Sequence, residues 1–283
     1  MASTFDRVRF GSRLATRRLG RSLVARAEVG STNDETWEAC AAGAPDGTVV
    51  VADAQTRGRG RAGRSWHTAP GRALALSVLL QPGADRRPLA LLPLAAGLAL
   101  TQALETLGAD PALKWPNDVL LQGRKVAGVL CEGRRVPYAP GPAAGVARPG
   151  DPPPAREAAV VGVGVNVTQS AADFPAEIAE TATSLALAGV ATDRESVAAA
   201  FLDALEPLWL DLLAGGRGSL LADWSARADF WGRPVAVRTP AGEVRGTARA
   251  LDPDGALVLE LADGSATTVR AGDLDLVAGG TRP

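Results

Sequence analysis

Apolar and polar positions along this chain fall into short blocks whose spacing predicts a mixture of helices and strands. Residues 1–26 carry seven arginines and no strong period, which predicts a basic, loosely attached arm. Ser31-Thr32-Asn33-Asp34 supplies residue types that satisfy orphan N–H groups at a helix start, predicting a helix through Glu35 to Ala42 that stops near Gly43 and Pro45. GTVVVADAQ and GRALALSVLL read as buried strands, and residues 86–108 as a mostly apolar helix ending at Gly108. ALKWPNDVLL and KVAGVLCE flank Gln122-Gly123-Arg124 as the arms of a hairpin, so Lys125 begins the returning strand.

The stretch 133–157 is crowded with Pro and Gly and predicts an exposed, mobile insertion, after which EAAVVGVGVNV resumes the sheet. Three helical segments are expected next: around 175–188, over 193–214 with Thr192-x-x-Glu195 as a capping box, and over 219–230. From Trp231-Gly232 onward the pattern changes to PVAVRT, EVRGTARAL, ALVLELA and ATTVRA between Gly- and Asp-containing turns. That spacing predicts a small antiparallel barrel, a second domain over 231–283 behind a first over 27–230.

Composition then removes several function classes. A formal net charge of -1 over 283 residues lacks the basicity of a protein that works by gripping phosphate backbones, so no DNA partner is expected. Two cysteines, Cys40 and Cys131, and one histidine, His67, support neither a disulfide framework nor a multi-histidine metal site, and point to a reducing cytoplasm. The N-terminus has no apolar run behind its charges, and the longest apolar run, 89–100, is short of the roughly 20 residues that span a bilayer, so neither a secretory signal nor a membrane is expected. The only lysines are Lys114 and Lys125; the other cations are arginines. A compact ammonium kept at two nearby positions suggests a site that a planar guanidinium cannot serve.

The candidate chemistry centres on QTRGRGRAGRSW, residues 55–66. Gly58-x-Gly60-x-x-Gly63 formally matches a dinucleotide fingerprint, and Gly58-x4-Gly63-Arg64-Ser65 a phosphate-binding loop. Both need a helix immediately afterwards, whereas Pro70 and Gly71 lead into a strand. What remains is a loop holding Arg57, Arg59, Arg61 and Arg64 among glycines, expected to be poorly ordered until an anion binds. Trp66 beside it suits stacking on a base or plain core packing.

Ser31-Thr32-Asn33, Gln55, GRGRAGRSW at 58–66, KWPNDVLL at 114–121, KVAGVL at 125–130 and GVGVNV at 162–167 resemble, in order and spacing, the biotin protein ligases. The resemblance covers roughly residues 27–277. It implies an α+β fold, with a mixed, mainly antiparallel sheet packed with helices of the class II synthetase-like kind and a small C-terminal SH3-like β-barrel. The short N-terminal arm stands where some members carry a winged-helix domain, so the monofunctional form is expected; the 133–157 insertion is foreign to the core pattern.

The resemblance also implies a reaction. Biotin and ATP would give biotinyl-5′-AMP and pyrophosphate, with Mg2+ accompanying ATP, and a lysine of a biotin carboxyl carrier protein or domain would then take the biotinyl group. Lys125 and Arg61 are the expected catalytic residues. Ser31, Thr32, Asn33, Gln55, Arg59, Gly60, Arg61, Lys125, Gly128 and Gly162 would hold biotin, and Arg59, Arg61, Arg64, Trp66 and Asn166 the nucleotide. Lys114, Asn117 and Asp118 would support them, with a Lys114–Asp118 charge pair in the hairpin as the alternative to a direct role. No protein metal site is expected, and the assembly would be a monomer or homodimer. The competing readings are a lipoate or octanoate ligase or transferase on the same superfold, and a regulator that senses biotinyl-adenylate.

Overall fold

The computed structural model describes residues 3–83, 87–137 and 155–277. The chain begins with helix α1 (Arg7–Arg13), strand β1 (Leu23–Val29), helix α2 (Thr32–Ala41) and strands β2 (Val49–Gln55) and β3 (Ala73–Gly83). Helix α3 (Leu92–Thr106) leads to β4 (Pro111–Lys114), β5 (Asp118–Leu121), β6 (Arg124–Pro137) and β7 (Ala155–Asn166). Helices α4 (Arg194–Leu213) and α5 (Gly218–Ala226) follow. One seven-stranded sheet runs β1-β2-β3-β7-β6-β5-β4, parallel between β1 and β2 and antiparallel elsewhere.

Strand alternation decides what each face of the sheet carries. Leu74, Leu76, Val78 and Leu80 of β3 and Val161, Val163 and Val165 of β7 join the main core with α3 and α4. The intervening Ser77, Leu79, Gly162 and Gly164 face the other side, where Trp37 and Cys40 of α2 pack on Leu79, Ala158 and Val160. Small and polar residues on this second face leave room for a cavity. The β5–β6 turn forms at the expected place, with Gln122 and Gly123 at φ of 51° and 74°, the left-handed pair of a two-residue hairpin.

Residues 3–22 are not a loose arm. Phe5, Phe10, Leu14 and Leu19 are buried in the core, and α4 carboxylates take up the segment's backbone N–H groups. Glu206 accepts from Arg17, Arg18 and Leu19, Asp203 from Ala15 and Thr16, and Glu195 from Asp6. The arginine count obscured four apolar anchors. Beside them, Arg194 and Asp53 form a buried ion pair of 2.8 Å, with Thr4 N also donating to Asp53.

Acid should loosen this attachment. Burial disfavours the Asp193 carboxylate, but hydrogen bonds from Ser196 and the Arg13 guanidinium outweigh it and hold the group at about 2. Asp53 and Glu206 are also lowered, burial again being outweighed, by Thr4 N–H and Arg194 in one case and by the Arg17, Leu19 and Arg18 N–H groups in the other. Their contribution is complete above the ordinary carboxylate range and is lost as pH falls towards 2. Melting temperatures from pH 5 to 2.5 should show a decline that Asp193→Asn reduces, by about 1 kcal/mol at the acid end.

Several boundaries differ from expectation. No helix forms over 175–188: Thr181 O and Thr183 N bond the backbone of Lys125, while Leu185 N and Ala186 N bond Asn166 O and Val167 O, so these groups serve the sheet instead. Helix α4 is capped by Asp193, which accepts from Ser196 N, rather than by Thr192, because Glu195 turns to Asp6. Helix α5 stops at Ala226, and α3 starts only at Leu92, with Pro93 in its first turn. Residues 133–137 and 155–157 extend β6 and β7 as a paired ribbon rather than belonging to an irregular insertion; 138–154 lie outside the described residues.

The C-terminal strands β8 (Pro234–Thr239), β9 (Gly242–Leu251), β10 (Leu257–Glu260), β11 (Ala266–Val269) and β12 (Asp273–Leu276) form an antiparallel sheet in the order β11-β10-β9-β8-β12. Strand β12 was not expected from its DLDL sequence. It pairs with β8, burying Leu274, and turns Asp273 and Asp275 towards the first sheet. Trp224, Phe230 and Trp231 pack ring against ring where the two sheets join.

Candidate functional site

The second face of the large sheet carries a cavity of about 490 Å³. Its floor is made by β6 and β7, one wall by the start of α2, and its roof by the arginine loop. Every residue singled out from the sequence as binding, catalytic or supporting lines it, from Ser31 at one end to Asn166 and Lys114 at the other. The glycines are there for space: a side chain on Gly162 would overlap the Asn33 amide, and one on Gly164 the Trp66 indole.

At the α2 end the polar groups form a buried chain. Ser31 occupies the helix N-cap but makes no side-chain cap bond. Thr32 N donates to Gln55 Oε1 at 2.9 Å, and Gln55 Nε2 to Thr68 Oγ1 at 3.2 Å. Ser77 Oγ lies 2.8 Å from Thr32 Oγ1 and 2.7 Å from Asn33 Oδ1. These neutral donors and acceptors suit a neutral, hydrogen-bonding ring.

The arginine loop is a compact hairpin rather than a self-repelling disordered segment. Arg59 pairs with Ser65, Gly60 N bonds Arg64 O, and Trp66 N bonds Gly58 O. The Arg59, Arg61 and Arg64 guanidinium groups each have their own acceptor, which offsets the expected repulsion. Arg59 forks onto Asp34 at 2.5 and 2.8 Å and reaches Glu132 at 3.2 Å. The hydrogen bond between them holds the Asp34 carboxyl low and raises Arg59. Arg61 donates to Asn117 Oδ1 at 3.1 Å and is partly buried, burial lowering its pKa. Arg64 pairs with Asp273 of β12.

At the other end, Lys125 Nζ is 2.7 Å from Asp118 Oδ1 and 5.7 Å from the centre of a Trp66 ring. Lys114 does not pair with Asp118; it reaches across to Asp275 at 3.1 Å. The Asn166 side chain donates to Thr183 O and accepts from Gln169, while the buried Trp66 Nε1 makes no hydrogen bond. Behind Arg61 and Asn117 lies a second cavity of about 450 Å³, lined also by Leu94, Trp115, Cys131 and Arg270. Burial pushes the Cys131 thiol up to about 12, leaving it an inert wall.

Ser77, Asp34, Glu132 and Asp273 join the site without having been expected there from the sequence. Ser77 had a signal, a lone polar residue in the apolar run ALALSVLL. Glu132 had a weaker one, as the charge ending KVAGVLCE; Asp34 and Asp273 gain their partners through tertiary contacts.

The model of the biotin/lipoate A/B protein ligase family matches residues 28–140, and that of the biotin protein ligase C-terminal domain matches 230–277. A biotin–[acetyl-CoA-carboxylase] ligase of Mycobacterium tuberculosis is 38% identical over 262 residues, covering 90% of this chain and 88% of that protein. The bifunctional ligase/repressor BirA of Bacillus subtilis is 33% identical, over 91% of this chain and 74% of that one. Among solved structures, Aquifex aeolicus biotin protein ligase in complex with biotin and ATP superposes with a TM-score of 0.72 at 28% identity, covering 91% and 99% of the two chains.

Proposed function

The chain belongs to the biotin protein ligase family, and from that premise we infer that it couples biotin to carboxylase carrier proteins at the expense of ATP. The observation that carries the reading is the convergence in one cavity of a neutral hydrogen-bonding end and a cationic end.

The first half-reaction joins two anions, so positive charge must stand where negative charge accumulates. We assign that task to Lys125 and Arg61. Asp118 holds Lys125 Nζ from one side, and its backbone is fixed by Thr181 and Thr183. The biotin carboxylate forms the new bond to the α-phosphorus as the bond to pyrophosphate breaks. Ser31, Thr32, Asn33 and Gln55, with the backbone at Gly60, Gly128 and Gly162, hold the head group and the reactive end. Arg59, Arg64, Trp66 and Asn166 serve the nucleotide; Asn166 acts through its neighbours, since its amide is engaged by Thr183 and Gln169. Lys114 and Asn117 are supports, tying the KWPND turn to β12 and to Arg61.

Magnesium would enter with ATP. It would supply further positive charge to the triphosphate, held more by phosphate oxygens than by the protein, and Asp118, which lines the cavity beside Lys125, is the carboxylate that would reach it. In the second half-reaction the carrier's lysine attacks the acyl carbon and AMP leaves. We place this chemistry in the cytoplasm, with its supply of ATP and carrier; none of the described helices is long and apolar enough to cross a membrane.

Incubation with biotin, MgATP and a carrier domain should raise the carrier's mass by one biotinyl group, whereas lipoic acid in place of biotin should leave it unchanged. An unmodified carrier with biotin, or an equal response to lipoic acid, would defeat the reading.

A further inference from the structure

Glu132 lies outside the cavity lining, yet three side chains, two from α2 and one from the arginine loop, meet on its carboxylate. Alternation along β6 places it on the α2 face of the sheet, two residues beyond Leu130. Its Oε2 accepts from Asn33 Nδ2 at 3.2 Å and from Trp37 Nε1 at 3.0 Å, and its Oε1 accepts from Arg59 Nη2 at 3.2 Å. We propose that Glu132 is a positioning residue that sets the direction of the head-group hydrogen-bond chain and ties the arginine loop to it. The proposal rests on the biotin-ligase reading above.

Two acceptors face one side of the Asn33 amide, the Glu132 carboxylate at 3.2 Å and the Leu130 carbonyl at 3.4 Å. The carboxylate is the nearer and the stronger, so the NH2 faces it and Oδ1 faces the opposite way. There Ser77 Oγ stands 2.7 Å away, and its single hydrogen is committed to Asn33 Oδ1, which cannot donate. At the 2.8 Å contact between Ser77 and Thr32 the hydrogen then comes from Thr32, whose other acceptor in reach, Gln55 Oε1 at 3.2 Å, is already met by Thr32 N. The chain runs one way, from Thr32 through Ser77 and Asn33 to Glu132. Asn33 Oδ1 packs over Gly162 in the cavity lining and keeps a second lone pair, an acceptor fitted to a ring N–H. The opposite amide orientation would offer a donor and favour a carbonyl. A cyclic urea has the required N–H, and a dithiolane ring has none. Glu132 thus sets substrate choice without touching substrate, and its second oxygen anchors Arg59 to the same point.

Two substitutions separate the arms. In Glu132→Leu both are lost. Biotin KM and Kd should rise about 30-fold, the scale of hydrogen bonds to a charged group, while ATP KM stays within about twofold. In Glu132→Gln the amide oxygen still serves Asn33 and Trp37, but no charge faces Arg59. Biotin KM should stay within about threefold, while carrier-independent release of AMP from the adenylate rises about tenfold. Wild-type biotin affinity in folded Glu132→Leu overturns the proposal. So does a parallel rise of both KM values with a lowered melting temperature, the mark of a merely structural residue. If Glu132→Leu does not fold, Glu132→Gln decides, and unchanged AMP release overturns it. A wild-type protein lacking biotin-dependent ATP–pyrophosphate exchange defeats the family reading itself, and so is distinguishable from an active wild type with an indifferent Glu132.

Discussion

Replacing Lys125 by arginine should reduce biotin-dependent ATP–pyrophosphate exchange by about 10²- to 10³-fold, the range for removing one preorganised electrostatic group. The fold should persist, because the lysine backbone is held by Thr181 and Thr183 and only the side chain changes. The stem passes directly against Gly128, and Nζ ends 2.7 Å from Asp118, below Trp66. That channel fits a thin chain and a compact charge. A planar guanidinium spreads its charge over a wider fork and moves its centre, so it meets Asp118 without meeting the phosphate. Exchange at the wild-type rate in a folded Lys125→Arg protein would remove Lys125 from the mechanism.

Arg61→Gly should have a different and equally large effect: adenylate forms more slowly, with Lys125 left as the catalytic cation, and what forms is then lost. The Arg61 side chain lines both cavities and is fixed by Asn117, which also bonds the backbone of Val129. Removing it joins the two spaces and opens a second way out, while Arg59 and Arg64 keep the rest of the loop in place. A reactive acyl adenylate that escapes acylates exposed amines at random. With biotin, MgATP and a bystander protein but no carrier, labelling of the bystander should increase at least about tenfold over wild type, readable by mass spectrometry. The energetic benefit of a closed site is exclusion of water and of wrong nucleophiles, so a variant that retains its intermediate and its selectivity would show that closure depends on other groups.

Much of this architecture was legible because strand alternation and residue size carry the information. GVGVNV already places valines on one face and Gly162, Gly164 and Asn166 on the other, and the cavity lies on that second face. The hairpin at Gln122-Gly123 follows from turn chemistry alone. Long-range partners were not legible. Arginines read as a repelling set in the loop are quieted by Asp34, Asn117 and Asp273, which come from a helix, a turn and the C-terminal sheet. The N-terminal segment hid its anchors because Phe5, Phe10, Leu14 and Leu19 are thinly spread among arginines; Phe5 and Phe10 pack ring on ring, and all four are buried. The segment 175–188 has helix-compatible composition, but its backbone groups find better partners on Lys125 and β7.

The bare backbone at Gly162 and Gly164 has a bearing on how this enzyme could be altered. Asn33 and Trp66 already occupy the volume that even a methyl group would need, so mutational drift at those two floor positions is closed to selection unless the wall residues move first. Any change of acyl group accepted, whether by evolution or in the laboratory, must therefore begin in the walls and roof, where side chains lean inward from α2 and the loop, and leave the strands beneath untouched.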